Sequence, residues 1–436
     1  MLRLIYNGTV VNEGRVYHGY VVLNDDVIAQ VEAGDPGRDV MEHAYECINV
    51  KGAYIMPGVI DDHVHFREPG MTHKADIASE SRAAVAGGVT SYMDMPNNTP
   101  PTTTIDRLEA KYAKAAQVSP ANYSFYIGAT NTNLDTLEQV DYTQVCGVKA
   151  FLGTSTGGML LSDPEVARRL LSDLGTIIAV HSEDESIINA NRKHYVSQYG
   201  QDLPLSFHEK IRSAEACYES TRRITELARE CGGRLHVLHV TTARELPLID
   251  GHHVTGEATV AHLLFSDDDY ARLGNRIKCN PAVKTAADRE ALRQAVIEGR
   301  LQVIGTDHAP HLPAEKQGGC LKAASGMPMV QFSLVAMLTL FRPELVVARM
   351  CHGPASLYHI EGRGYLRRGC KADLAIVAPE PWTITDESVI SKCHWTPLNG
   401  MQVQHRVKMT IVNGQVAYAD GKVNEHCRGQ RLQFNR

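Results

Sequence analysis

Two histidines and an arginine alternate in "DDHVHFREPG", residues 61–70, directly after the apolar run "YIMPGVI". On an extended chain, side chains two residues apart share a face. His63 and His65 therefore reach the same place, with Arg67 beside them if the strand continues. Two imidazoles next to a fixed cation describe part of a metal site with an anion-binding neighbour. The alternative is a histidine pair that caps a strand and anchors its loops, since a metal needs more ligands than this stretch supplies. Further polar residues recur in the same setting, each after an aliphatic run: Lys149 in "GVKAFLG", His181 in "IIAVHSED", His239 in "HVLHVTT" and Asp307 in "VIGTDHAPH". Singly, each has an ordinary role, such as loop anchor, helix N-cap for Asp307 or snorkelling cation for Lys149. Together, on one face, they point to a shared site. Four histidines and one aspartate hold one metal amply or two sparingly. Two cations roughly 3.5–4 Å apart need a bridging anion. The fourth strand offers only Lys149 for that task. A lysine supplies a carboxylate if its neutral amine adds carbon dioxide to form a carbamate, and burial exposes that amine by lowering the pKa.

The elements that must position these residues follow from the pattern. Residues 56–360 alternate short apolar runs ("GVIDDHVHF", "VTSYMDM", "YSFYIGAT", "GVKAFLG", "TIIAVHSED", "RLHVLHV", "HVTGEAT", "LQVIGTDHA") with stretches rich in helix formers, such as "SAEACYESTRRITELARECGG". Eight strands separated mostly by helices predict an α/β fold, a (β/α)8 TIM barrel, with catalytic groups at the C-terminal strand ends. A doubly wound open sheet is the runner-up, but no Gly-rich phosphate loop follows the first strand. Both termini read as short strands. Asn7–Gly8 and Asn413–Gly414 are tight-hairpin signals, and "LIYNGTVV" echoes "TIVNGQVA". The expected division is a small β-sandwich module from 1–55 plus 362–436, and the barrel from 56–361. The polar segment 312–328, "LPAEKQGGCLKAASGMP", reads as a lid-like loop.

The bulk composition bounds the function. The 43% apolar and 22% charged content is that of an ordinary globular chain. A net charge of −6 gives no electrostatic case for nucleic acid. No apolar stretch has the length of a membrane span, and the N-terminal residues lack the apolar core of a secretory signal. Ten scattered cysteines without a C-x-x-C pair fit reduced thiols in a cytoplasm.

With these motifs in hand, the chain resembles the amidohydrolase superfamily, and within it the free-standing bacterial dihydroorotases. The likeness rests on "DDHVHFREPG", "MDMPNNTP", "KAFLG", "VHSED", "LHVTT", "CNPAVK" and "GTDHAPH", and it covers nearly the whole chain. The resemblance implies two zinc ions. His63, His65 and Asp307 hold the first, His181 and His239 the second, and carboxylated Lys149 and a hydroxide bridge them. The strand-four region departs from the Asp-Asp-Gly version found in many free-standing bacterial dihydroorotases. Here it reads "VKAFLGTSTGG", closer to hydantoinases and allantoinases. That leaves open an unmodified Lys149 with only one fully occupied metal position.

The implied reaction is the reversible cyclisation of N-carbamoyl-L-aspartate to dihydroorotate, with Asp307 shuttling the proton, in pyrimidine synthesis. Dihydroorotate differs from a hydantoin or dihydrouracil by one carboxylate, and Arg67 offers a planar fork for it. By resemblance Asn97 and His311 join Arg67, while His65, Asn280 and the Ser325–Gly326 backbone also meet the substrate, although the usual Phe-Gly is absent there. Glu257 and His262 read as structural. A homodimer is the assembly family members often form. The rivals are another cyclic amidase (allantoinase, hydantoinase or dihydropyrimidinase) and a non-catalytic scaffold for a partner such as aspartate carbamoyltransferase. The scaffold reading predicts lost ligands, whereas all six positions here are chemically competent.

Overall fold

The computed structural model describes residues 2–153 and 159–436. Eight parallel strands form a ring: Val59–Val64, Val89–Asp94, Asn122–Phe125 continued by Ile127–Gly128, Val148–Phe151, Ile177–His181, Arg234–Val237, Val254–Thr259 and Val303–Gly305. Each pairs in parallel with the next. A parallel bridge from Val64 to His308 brings the eighth strand back to the first. Asp61 fastens the same seam, accepting from the Thr306 amide at 3.1 Å and from its hydroxyl at 2.6 Å. The strands are short and buried on both faces, as a barrel wrapped in helices requires. The third strand breaks at Tyr126, whose hydroxyl donates to Asp62 O at 3.0 Å.

The helices start and stop where local chemistry directs. The longest, Ala214–Cys231, begins at Ser213, whose side chain accepts from the Ala216 amide, and ends at Gly232 in the left-handed region. The fold is therefore the (β/α)8 barrel of the sequence reading, with a β-sandwich module built from both termini. None of the described helices is long and apolar enough to cross a membrane.

The terminal strands belong to one sheet. Leu2–Asn12 pairs antiparallel with Arg15–Asn24, and in parallel with both Glu46–Asn49 and Tyr54–Pro57. Tyr54–Pro57 in turn pairs with Leu374–Ala378 from the far end of the chain. Ile5, Val10, Leu23, Ile55, Leu374 and Ile411 share one buried cluster. Tyr54–Pro57 straddles position 55, and the final residues leave the module: the Phe434 amide donates to Thr143 O at 2.8 Å, beside the barrel.

One turn expectation is corrected. Asn7–Gly8 is not a hairpin but a bulge inside the first strand, with a register shift between Ile5 and Gly8. The reversal comes at Glu13–Gly14, φ 50° and 73°. The bulge lets a single strand change partners, from Glu46–Asn49 before it to Tyr54–Pro57 after it. A Cβ on Gly8 would meet Val50 and Ile55 at 2.6–2.8 Å. Asn413–Gly414, φ 48° and 76°, does turn a tight hairpin, with Val412 opposite Gln415.

Candidate active site and metal centre

At the C-terminal rim of the barrel lies a cavity of about 310 Å³. His63, His65, Arg67, Asn97, Lys149, His181, His239, Asn280, Asp307, His311, Ser325 and Gly326 all line it, with Phe151, Ala309 and Ala324. Every site residue expected from the sequence thus faces one space. Of the strand-four motif, "TSTGG" falls outside the described residues.

His63, His65 and Asp307 bring their ligand atoms within 4.8 Å of one another. The His63 Nδ1–H donates to Glu257 at 3.0 Å, and the His65 Nδ1–H to Asn97 Oδ1 at 2.8 Å. Both Nε2 lone pairs then face Asp307 Oδ1, at 3.2 and 3.0 Å. Opposite them, the His181 Nε2–H donates to Glu183 at 2.8 Å, which turns its Nδ1 toward His239 Nε2 at 2.9 Å. Lone pairs gathered this closely repel unless a cation lies among them, so the donor set fits a metal centre. Burial holds His63 and His239 well below the usual imidazole range, in the neutral form a metal needs. Burial alone would raise Asp307; positive charge on the His63 and His65 rings opposes it and draws the carboxyl below its ordinary range, a role that a cation among the donors takes over when the rings are neutral.

Lys149 is 1% exposed, with its ammonium 4.7 Å above the Phe151 ring. Burial, opposed by the charges of Glu257 and Asp307, draws it down to about 7. A neutral amine beside four imidazoles and a carboxylate fits the carbamate chemistry.

The backbone is strained where the chemistry gathers. Arg67, His239 and Asp307 have φ of 67°, 40° and 47°, in a region that disfavours residues with a Cβ. Tight turns directly after strands aim their side chains inward.

The far side of the cavity carries positive charge. The buried Arg67 donates from Nε to Pro310 O at 3.1 Å and lies 3.1 Å from His311 Nε2. Glu68, next to Arg67 in the chain, does not pair with it: it accepts from the Ile77 amide at 3.0 Å. Lys74 donates to His311 Nδ1 at 3.2 Å, which leaves the proton on Nε2, directed at Ser325 O at 3.0 Å. Burial first, then the Arg67, Lys74 and Lys316 charges, push His311 far below its ordinary pKa, so the ring is neutral. Asn97 spends its oxygen on His65 and leaves its NH2 for a ligand. Buried Asn280 Oδ1 has no protein partner.

Sequence reasoning read Glu257 as structural, and the structure shows what it supports. Glu257 accepts from His63 and from the His239 amide at 2.9 Å, tying the two histidine groups together. His262 is structural as read, bonding Thr259 and Pro281 O. Glu257→Gln, which removes the charge behind His63, is expected to lower metal affinity or kcat 10- to 100-fold; metal titration of the purified variant checks this. The segment 312–328 supplies Ala324, Ser325 and Gly326 to the cavity wall and is pinned by Lys316, whose Nζ donates to the carbonyls of Lys278, Ala324 and Gly326 at 3.0, 2.9 and 2.8 Å. Gly326, φ 133°, packs so closely that a Cβ would meet Ala309 O at 2.6 Å. Lys316→Met should raise KM about tenfold or more through the freed Ser325–Gly326 backbone. Its kcat should stay within about threefold of the parent and its metal content should be unchanged, as steady-state kinetics and metal analysis would read.

Comparison with known proteins gives the same picture. Residues 54–417 match the amidohydrolase family. A dihydroorotase of Halobacterium salinarum is 34% identical over 373 residues, 84% of this chain and 86% of that protein. An allantoinase of Bacillus velezensis is 30% identical over 436 residues, 96% and 94% of the two chains. Among solved structures, an L-hydantoinase (dihydropyrimidinase) from Arthrobacter aurescens superposes with a TM-score of 0.92 at 27% identity, covering 99% of both chains.

Proposed function

The chain belongs to the amidohydrolase family, and from that premise we propose that it is a dihydroorotase, interconverting N-carbamoyl-L-aspartate and (S)-dihydroorotate in pyrimidine synthesis. The observation that carries this reading is Arg67. It is a buried guanidinium facing the cavity, and no carboxylate pairs with it among the described residues. Burying an unpaired charge is costly, and a substrate carboxylate removes that cost. Hydantoin, allantoin and dihydrouracil carry no such group.

His63, His65 and Asp307 would hold one zinc and His181 and His239 a second, with the Lys149 carbamate between them. When bound, such a pair polarises the reacting carbonyl and lowers the pKa of a coordinated water to about 7. The protein does the rest. Arg67, the Asn97 amide and His311 seat the carboxylate, and Asn280 Oδ1 accepts a ring N–H. Asp307, kept anionic, takes the proton of the attacking water and passes it to the departing ring nitrogen. Ring closure retraces these transfers. His65 stands between the two functions, bonded to Asn97 on one side and Asp307 on the other.

Assay of the metal-loaded protein on dihydroorotate, allantoin, hydantoin and dihydrouracil tests the proposal. Preference for dihydroorotate is expected. Turnover of the uncharged rings with none of dihydroorotate would discard it in favour of another cyclic amidase, and no turnover of any would point to a scaffold.

A further inference from the structure

A second pocket, of about 380 Å³, adjoins the catalytic cavity and shares Asn280 and Ser325 with it. Its charged lining is one-sided. Arg192, on the helix Glu185–Tyr199, Arg212, just past Phe207–Ile211, and Lys278 line it, and no carboxylate does. Arg212 is met from behind by Glu183. Lys278 is buried, and its ammonium donates to a neutral carbonyl, Ala323 O, with no ion pair among the described residues. Arg192 is exposed and likewise has no ion-pair partner among the described residues. Burial, with the Arg212 and Arg192 charges adding to it, draws Lys278 down to about 8. Mutually repelling cations in a concave, low-dielectric wall are stabilised by an oxyanion between them, and such a wall focuses field toward its opening.

We infer that this pocket is an anion-binding antechamber to the active site, taking the carboxylate or phosphate oxyanion of a small, doubly charged molecule. The charges and the shared wall support the site by themselves. Only its use as the approach of the dianionic open-chain substrate rests on the proposed reaction. N-carbamoyl-L-aspartate carries one more carboxylate than dihydroorotate. While Arg67 and its neighbours engage one, the cationic pocket offers a first hold for the other.

The test uses the metal-loaded protein with inorganic phosphate as probe, by calorimetric titration and crystal soaking. The variants are Arg192→Glu, an exposed change on a helix surface, and Lys278→Met. The expected result is phosphate seated within hydrogen-bond reach of Lys278 Nζ and at least one of the two arginines, with binding weakened about tenfold or more in either variant. Phosphate found only at Arg67 or among the metal ligands, or bound in the pocket with unchanged affinity in both variants, would overturn the inference; the second result is that of an adventitious ion only. Kinetics of Arg192→Glu then separate the sources. The ratio of kcat/KM in the two directions is fixed by the equilibrium, so the readout is the individual KM values. A KM for N-carbamoyl-L-aspartate raised more than that for dihydroorotate supports the pocket as the route of the open-chain substrate. Equal KM values with lost phosphate binding support a phosphorylated ligand instead. Neither phosphate result depends on which ring the enzyme opens.

Discussion

Lys149→Ala should lose at least about a thousandfold in kcat and about half of the bound metal. Two dications about 4 Å apart at an effective dielectric constant near 20 repel by roughly 16 kcal/mol, four times the unit-charge value. Without a bridging carboxylate the pair is not held, although each histidine group keeps its own geometry. Metal analysis should fall from about two ions per chain toward one, with the fold unchanged by circular dichroism. Two tightly bound ions and full turnover in the variant would refute the bridging role. The same residue sets a pH dependence for reloading the metal-free protein. Only the neutral amine adds carbon dioxide, and burial places its pKa at about 7 rather than 10.5. Below 7 the neutral fraction falls tenfold per pH unit, so reconstitution at a fixed concentration of dissolved carbon dioxide should be several times slower at pH 6 than at pH 8.

Arg67→Gln is expected to lower kcat/KM for dihydroorotate by about 30-fold to several thousandfold, the range for losing a buried charge-assisted contact worth roughly 2–5 kcal/mol. The loss should be specific. Turnover of dihydrouracil, which offers no carboxylate, should hold or rise relative to dihydroorotate, because the glutamine leaves no unpaired charge in the wall. Equal losses on both rings would mean that Arg67 supports the metal site and does not read the substrate. His311→Ala should act in the same direction but more weakly, since the ring is neutral and its one N–H is shared with Ser325 O.

Much of the fold is legible in the chain because barrel strands declare themselves twice. "TIIAVHSED" is aliphatic because both faces are covered, and it ends in polar residues because the rim is open. That double mark finds His181, and the same reasoning finds His239, Lys149 and Asp307. His63, His65 and Arg67 are legible from their alternate spacing, whereas Asn97, Asn280, His311, Ser325 and Gly326 were legible only through likeness to known sequences. Asn280 sits in a loop, and nothing in "KCNPAVK" says that its oxygen lies unpartnered in a wall. Glu257 supports His63 from 194 residues away, and local reading has no access to that contact. Lys74 and Lys316 look like surface cations until the loop 312–328 is seen folded over them. Asn7–Gly8 misleads for the opposite reason. The dipeptide reports a left-handed backbone correctly, but such a backbone serves a bulge as well as a hairpin, and the choice is made by the two strands that flank Leu2–Asn12.

The left-handed backbone at Arg67, His239 and Asp307 carries a penalty on the order of 1–3 kcal/mol at each position. Glycine at any of the three would ease the chain, and each easing would delete a side chain that lines the cavity. Selection for heat resistance alone would therefore pull against the active site at these three joints.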